Sequence, residues 1–312
     1  MYKSVQKASP IQPALSLAIS LLVVSSASAI TADGTLDAGY GPALAVQTVD
    51  TQFGDNQSEL NAGYAAIQGG SLHIMLTGNL EANFNKLNIF IDSKAGGQNQ
   101  LNLTNPNNDN WANKHNGFKF DSAFSADYLF ILRRGGSQFD LDYAVIGGGA
   151  TSFDNYGSVF GLANSGSATT AAGGNLGYSF GVGYNDSNIG GVIGGTGAAN
   201  QAAALAVTTG IELSIPLAAL GNPNFGDTIR ISAMVNGGNH DYLSNQLLGG
   251  LPAGQGNLGG DGFGGYNGTV GALDMNNYQG DQFFVITVPE PSSMALTGLG
   301  LAALLLRRSR NK

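Results

Sequence analysis

The chain has 312 residues, of which 48 are glycine and none is cysteine, and its 13 basic and 21 acidic side chains give a formal net charge of −8. Disulfide scaffolds and cysteine-ligated metal sites are therefore excluded, and the scarcity of charge with so much glycine disfavours a helical cytosolic protein. Because 43% of the residues are hydrophobic, the chain has enough apolar surface for a core, which disfavours intrinsic disorder.

The first 29 residues have the composition of a secretory signal peptide. Lys3 and Lys7 precede an apolar run over residues 14–24, and small residues follow as far as Ala29. About a dozen apolar residues are too few to cross roughly 30 Å of hydrocarbon as a helix. We therefore expect cleavage after Ala29 rather than a permanent anchor, so that the exported domain begins at Ile30.

Residues 30–288 alternate short apolar runs with glycine-rich turns. Period-two patterns predict strands over residues 44–49, 62–67, 71–77, 87–91, 126–132, 141–146, 178–182, 211–215, 228–235 and 282–288. The pair Gly69-Gly70 between the second and third of these predicts a β-hairpin. Residues 217–220 before Gly221 can hold only one helical turn. The pattern predicts an all-β domain, an antiparallel β-sandwich of jelly-roll or immunoglobulin-like type.

Two long insertions rich in glycine interrupt the strand pattern. The first comprises residues 147–174 together with 186–206, and the second comprises residues 237–277. Loops of this length are uncommon in compact domains, so we expect either functional surface loops or mobile, lightly packed segments. No repeat recurs at a fixed period, which disfavours a solenoid and the regular threonine array of an ice-binding protein.

The order of motifs in the body resembles the family-nine carbohydrate-binding module and its DOMON-like relatives. The segments that carry this resemblance are Asp33–Asp37, Asn88–Ser93, the Phe-rich stretch 120–130, Ile211–Leu220 and Gly226–Ile231. The resemblance implies a β-sandwich that holds sugars or haem.

Haem would need two axial ligands on opposite sides of the iron. His73 and Met75 are two residues apart on one predicted strand, so both side chains point to the same face. We therefore do not expect haem.

Trp111, the only tryptophan, follows the asparagine-rich segment 105–110 and stands near His115 and Phe118. Exposed aromatic rings stack on sugar rings, so these three residues are the candidate ligand contacts. The alternative is that Trp111 caps the core beneath that loop. Phe263 and Tyr266, each beside glycines in the second insertion, are weaker candidates of the same kind.

Nothing in the sequence indicates a catalytic or metal-binding motif. His73, His115 and His240 stand in separate segments, and no zinc-binding spacing accompanies them; His240, beside Asp241 in a loop, is expected to be a surface hydrogen-bonding residue. We therefore expect no enzyme, no metal ligands and no cofactor. A structural Ca²⁺ stays open, because segment 105–110 is rich in oxygen ligands, as are Asp33, Asp37 and Asp92.

A polysaccharide hydrolase would need paired carboxylates that converge from separate loops. Only four glutamates are present in the chain. Glu212, on a predicted strand, alternates with apolar residues and is expected to point outward, so this class is not favoured.

The C-terminus combines a proline motif, an apolar helix and a basic tail. Pro289-Glu290-Pro291 comes first, an apolar stretch covers residues 294–306, and Arg307 and Arg308 begin the basic tail. This order resembles the PEP-CTERM sorting signal of Gram-negative bacteria. The resemblance implies cleavage by an exosortase-type membrane protease, transient residence in the inner membrane through the C-terminal transmembrane helix, and delivery to the cell surface or outside. A plain membrane anchor is the alternative.

Removal of both ends makes the protein far more acidic. Residues 30–291 contain seven basic and all 21 acidic side chains, a formal charge of −14. Such a surface repels nucleic acid and anionic lipid. We therefore expect an exported protein of the envelope or extracellular matrix with a structural or adhesive role. The alternative is a carbohydrate-binding module for extracellular polysaccharide.

Overall fold

The structure is a computed structural model that describes residues 28–103, 111–147, 151–161, 165–169 and 176–290. Most of the predicted signal peptide and the whole C-terminal apolar helix, with Arg307 and Arg308, lie outside these residues. No helix within the described ranges is long and apolar enough to cross a membrane.

Thirteen strands and two short helices are defined in the described residues. In chain order they are β1 (Ala45–Val46), β2 (Glu59–Gln68), β3 (Ser71–Asn79), β4 (Asn83–Asp92), α1 (Trp111–His115), β5 (Tyr128–Gly135), β6 (Gln138–Ile146), β7 (Thr151–Gly161), β8 (Ser165–Thr169), β9 (Gly181–Asn185), α2 (Gln201–Leu205), β10 (Gly210–Pro216), β11 (Thr228–Asn236), β12 (Leu243–Leu248) and β13 (Phe284–Thr287).

The strands form two antiparallel sheets, which confirms the predicted all-β sandwich. The six-stranded sheet has the order β1-β2-β3-β10-β9-β8. The seven-stranded sheet has the order β12-β11-β4-β5-β6-β7, with β13 paired to β11. The predicted hairpin is β2–β3, where Gly69 and Gly70 both have positive φ angles, of 60° and 81°. Glycine adopts this conformation without steric cost, so the pair sets the tight turn.

The main core lies between the two sheets. Leu87, Ile89 and Ile91 of β4 all point into it, as their alternation predicts. On β5, Phe130 faces the same core, whereas Ile131 faces the opposite side of the sheet. This central strand is therefore apolar on both faces because both faces are covered.

A second core covers the outer face of the seven-stranded sheet, and the second insertion forms it together with residues between 101 and 126. Leu251, Leu258, Val270 and Leu273 from this insertion are buried there. The expectation of a lightly packed segment is wrong for residues 237–277, because apolar side chains spaced among the glycines close onto the sheet. The insertion also contains β12, whose sequence did not predict a strand.

The first insertion also contains strands. It supplies β7 and β8, and it contains α2, whose N-cap is Asn200: the side-chain Oδ1 of this residue accepts hydrogen bonds from the backbone amides of Ala202 and Ala203. Other strand limits differ from the prediction by a few residues: β9 begins at Gly181, not at 178. The single helical turn at residues 217–220 is present and ends at Gly221, whose φ is 80°.

Candidate ligand-binding cleft

The three predicted ligand contacts lie together, but they lie in the second core. Helix α1 places Trp111 and His115 one turn apart on its inward side, and the ring of His115 is 6.1 Å from that of Trp111 and 6.4 Å from that of Phe118. None of the three side chains is exposed to solvent. This corrects the expectation of a surface contact: spacing of one helical turn directs both α1 rings inward, leaving no face for a sugar.

The buried histidines take part in a polar network beneath the second insertion. His115 Nδ1 is 3.0 Å from the carbonyl oxygen of Trp111, and its Nε2 is 3.2 Å from the amide nitrogen of Asn88. The ring of His240 lies 5.7 Å from that of His115 and is also fully buried. His240 and Asp241 are therefore not the surface pair that the sequence suggested.

An open cleft of about 470 Å³ lies on the second insertion instead. Two aromatic side chains, Phe263 and Tyr278, line it together with the polar side chains of Asn257, Asp261 and Asn277. Ligand sites are typically concave, with aromatic walls and a few well-placed polar groups. This cleft has that composition.

The side chain of Phe263 projects into solvent from a loop whose backbone is hydrogen-bonded. Its exposed fraction is 93%. Asp261 Oδ1 accepts hydrogen bonds from the backbone amides of Phe263 and Gly265, both at 2.8 Å. Gly262 and Gly264 have φ angles of 87° and 86°, a conformation that glycine allows without strain. These bonds fix the backbone of the loop at Phe263, so the loop projects the side chain into solvent although no core supports the ring.

The same hydrogen bonds keep Asp261 ionised. They come from the Phe263 and Gly265 amides, and they lower the pKa of the carboxyl. The other carboxylate oxygen, Oδ2, and the side-chain amide of Asn277 take part in no hydrogen bond with described residues. Asn257 Oδ1 accepts from the Asn245 amide at 3.0 Å, which leaves its NH₂ group to donate. The cleft thus offers both acceptors and donors beside an aromatic face.

The carboxylate of Glu212 faces away from the main core, as its alternation predicts, but it is buried. Residues 28–41 cover this face of the six-stranded sheet. Glu212 Oε2 accepts hydrogen bonds from the backbone amides of Asp33 (2.8 Å) and Gly34 (2.6 Å), and Oε1 accepts from the Tyr40 hydroxyl (3.0 Å). Burial raises the pKa of Glu212 to about 7 despite these donors. Glu212 is thus the anchor of the N-terminal segment.

Glu59 is a second buried carboxyl, and it also holds chain segments together. Its Oε1 accepts hydrogen bonds from the side-chain amides of Asn61 (3.1 Å) and Asn188 (2.8 Å). Burial raises the pKa of Glu59 to about 7. Neither Glu59 nor Glu212 lines the cleft of Phe263.

Across the described ranges, no group of three or more histidine, aspartate or glutamate side chains is placed to hold a metal ion. Asp92, one of the suggested Ca²⁺ ligands, instead lies 3.4 Å from Arg230 Nη1. Asp33 and Asp37 accept hydrogen bonds from the backbone amides of Thr35 and Thr31. Segment 105–110 lies outside the described residues.

The proline motif leaves the sandwich directly after β13. The Val288 amide donates to the Asp227 carbonyl at 2.9 Å, and the Gly226 amide donates to the Val288 carbonyl at 3.0 Å. Pro289 and Glu290 follow and are exposed, and Pro291 is the first residue beyond the described part.

Comparison with known proteins finds no matching curated protein and no matching solved structure. The resemblance of the body to carbohydrate-binding modules therefore stays a prediction. A family model described as the PEP-CTERM protein-sorting motif matches residues 287–310, which confirms the predicted sorting signal. The chain is thus an exported protein that carries a PEP-CTERM sorting motif and is a substrate for an exosortase-type membrane enzyme.

Proposed function

We propose that the exported domain is a non-enzymatic adhesive protein of the cell surface or extracellular matrix, and that it binds polysaccharide in the cleft of Phe263. The observation that carries this proposal is one aromatic ring, 93% exposed, on a hydrogen-bonded loop beside a cleft lined with polar side chains. Burying such a ring is worth about 1.5–3 kcal/mol. Because the ring is exposed to water in the free protein, this free energy is gained only when a ligand covers the ring.

The polar groups of the cleft suit the hydroxyl groups of a sugar. Stacking on Phe263 would place the ring of a sugar residue over the cleft, where Asp261 Oδ2 accepts and the Asn257 NH₂ donates. Neighbouring hydroxyl groups of a sugar are each both donor and acceptor, so they match such a pair. Tyr278, half-buried at the cleft wall, donates to the Gly262 carbonyl at 3.4 Å and leaves part of its ring facing the cleft.

The charges favour a neutral polysaccharide over an acidic one. Asp261 and Asp274 both line the cleft, and Lys119 neutralises only Asp274, at 3.0 Å. The exported part also carries a formal charge of −14. An acidic polysaccharide would therefore be repelled both locally and by the whole domain, and more strongly at low salt.

Retention of the full chain on insoluble neutral and acidic polysaccharides tests this function. We expect retention on a neutral polysaccharide, and we expect Phe263→Ala to weaken it about tenfold, because truncation of a central aromatic anchor costs more than about 1 kcal/mol. Phe84→Ala is the matched control: this phenylalanine is 43% exposed and lies outside the cleft.

Unchanged retention of Phe263→Ala would refute the assignment of the cleft. If the wild-type chain is retained on no polysaccharide, the sugar-binding function is wrong and a structural role is left. Because the proposal includes no catalytic step, the same incubations should release no soluble sugar.

A further inference from the structure

The folded sandwich extends to Val288, the residue immediately before Pro289-Glu290-Pro291. Phe284 and Val288 place their side chains in the main core, and two backbone hydrogen bonds tie Val288 to Gly226 and Asp227. Three extended residues reach about 10 Å, and two of the three residues of Pro289-Glu290-Pro291 are stiff prolines. An enzyme that acts on this motif must therefore come close to the end of the sandwich.

This end carries a rigid, exposed loop with an unsupported aromatic ring. Phe225 is 57% exposed. Gly221 and Asn222 both have left-handed φ angles, of 80° and 55°, and Asn224 donates its backbone amide to Asp227 Oδ2 at 2.6 Å. Asparagine tolerates this conformation in turns, so the two residues define the path of the loop. The same loop holds Val288.

An open pocket of about 570 Å³ adjoins the loop and contains two of the few basic side chains of the exported domain. Lys94 and Arg230 line it together with Asn222, Asn224 and Asp227. Lys94 Nζ lies 5.1 Å above the ring of Tyr128, which favours one position of its ammonium group. Asp92 also lines the pocket and lies 3.4 Å from Arg230 Nη1. A polar rim beside an exposed aromatic side chain is compatible with a protein–protein interface.

We propose that this end face, formed by residues 221–228 with Lys94 and Arg230, is the surface on which the exosortase-type enzyme docks when it acts on Pro289-Glu290-Pro291. Phe225 is the apolar anchor of the contact. The proposal rests on sorting through this motif and is independent of sugar binding. It makes the folded domain, as well as the C-terminal segment, part of what the enzyme recognises.

Pulse-chase labelling of the full chain in a bacterium that contains the sorting enzyme tests the proposal. We expect Phe225→Ala to be cleaved about tenfold more slowly than the wild type. We expect the same slowing when Gly-Ser-Gly-Ser is inserted between Val288 and Pro289, because the insertion separates the motif from the docking face. Phe84→Ala is the control substitution, since Phe84 is at the start of β4 and Asp92, at the other end of that strand, is the residue that pairs with Arg230.

The outcomes separate docking from the alternatives. Unchanged cleavage of both variants would overturn the proposal, and faster cleavage after the insertion would show that the sandwich end only obstructs the enzyme. Weaker membrane retention of Phe225→Ala with normal cleavage would assign the face to the lipid surface and would also overturn it. Glu290→Ala distinguishes failure of sorting itself: if that variant is processed normally, the motif is not what the enzyme reads.

Discussion

The buried carboxyl of Glu212 gives the sharpest prediction about stability. Its pKa rises from the usual 4.5 to about 7 in the folded protein, mainly because burial disfavours the charged form. The folded state therefore binds more protons than the unfolded state between these two pH values. The free energy of unfolding should fall as the pH rises through this window, with the full contribution present below about pH 4.5.

The size of this effect follows from the same shift. Each pH unit across the window is worth about 1.4 kcal/mol. The pKa of about 7 already includes the lowering effect of the hydrogen bonds from Asp33, Gly34 and Tyr40. We expect Glu212 to account for about 2–3 kcal/mol of lost stability between pH 4.5 and 8. Glu212→Gln keeps the shape and removes the titration, so this part of the pH dependence should vanish.

Urea denaturation of the wild type and Glu212→Gln at pH 4.5 and pH 8 measures the difference directly. Glu59→Gln removes the other buried carboxyl with a pKa of about 7, so it should remove a separate part of the pH dependence, and the double variant should lose both parts. Glu212→Ala should destabilise at both pH values by about 2–4 kcal/mol, since the Asp33 and Gly34 amides and the Tyr40 hydroxyl lose their acceptor. Identical pH dependence of the wild type and Glu212→Gln would refute the reasoning.

Two further predictions concern the layers that cover the sheets. Gly183→Ala should displace the N-terminal segment and cost about 1–3 kcal/mol, since a Cβ there would lie 2.5 Å from the backbone nitrogens of Asp33 and Gly34. Gly190→Ala is its control in thermal unfolding, because a Cβ there would come no closer than 4.0 Å to its nearest neighbour, Asn188 Oδ1. Leu258→Ala should cost about 2–5 kcal/mol and speed amide exchange across the second insertion, whereas a lightly packed insertion would show almost no change in either measurement.

Several strands of the main core were predictable because the side chains that face this core alternate along them. Leu72, Ile74 and Leu76 on β3 show this most clearly, and the Gly69-Gly70 turn fixes their register. Local sequence is sufficient here, since the period of the side chains decides which face meets the other sheet.

Strand β12 could not be predicted because three consecutive polar residues, 244–246, are buried in its middle and interrupt any apolar alternation. Asn245 Nδ2 donates to the Asp50 carbonyl at 2.8 Å, and Gln246 Oε1 accepts from the Leu60 amide at 3.1 Å and from Gln47 at 3.2 Å. Their partners are about 190 residues away in sequence, so hydropathy alone makes the strand look like a surface loop.

It was also hard to judge from the sequence which aromatic side chains are buried and which are exposed. Trp111 stands beside asparagines, yet a single helical turn directs it inward. Phe263 stands among glycines with no apolar neighbour, and this spacing is the signal that pointed to its exposure. The hydrogen bonds that Asp261 accepts from the backbone amides of Phe263 and Gly265 became evident only in the structure.

Hydroxyl-radical footprinting of the full chain, with and without the polysaccharide that retains it, tests the proposed binding cleft most directly. Phe263 and Tyr278 should become protected from oxidation when the polysaccharide is present, whereas Phe84 should be oxidised equally in both samples. Equal oxidation of Phe263 and Tyr278 in the two samples would contradict the proposal that this cleft binds sugar.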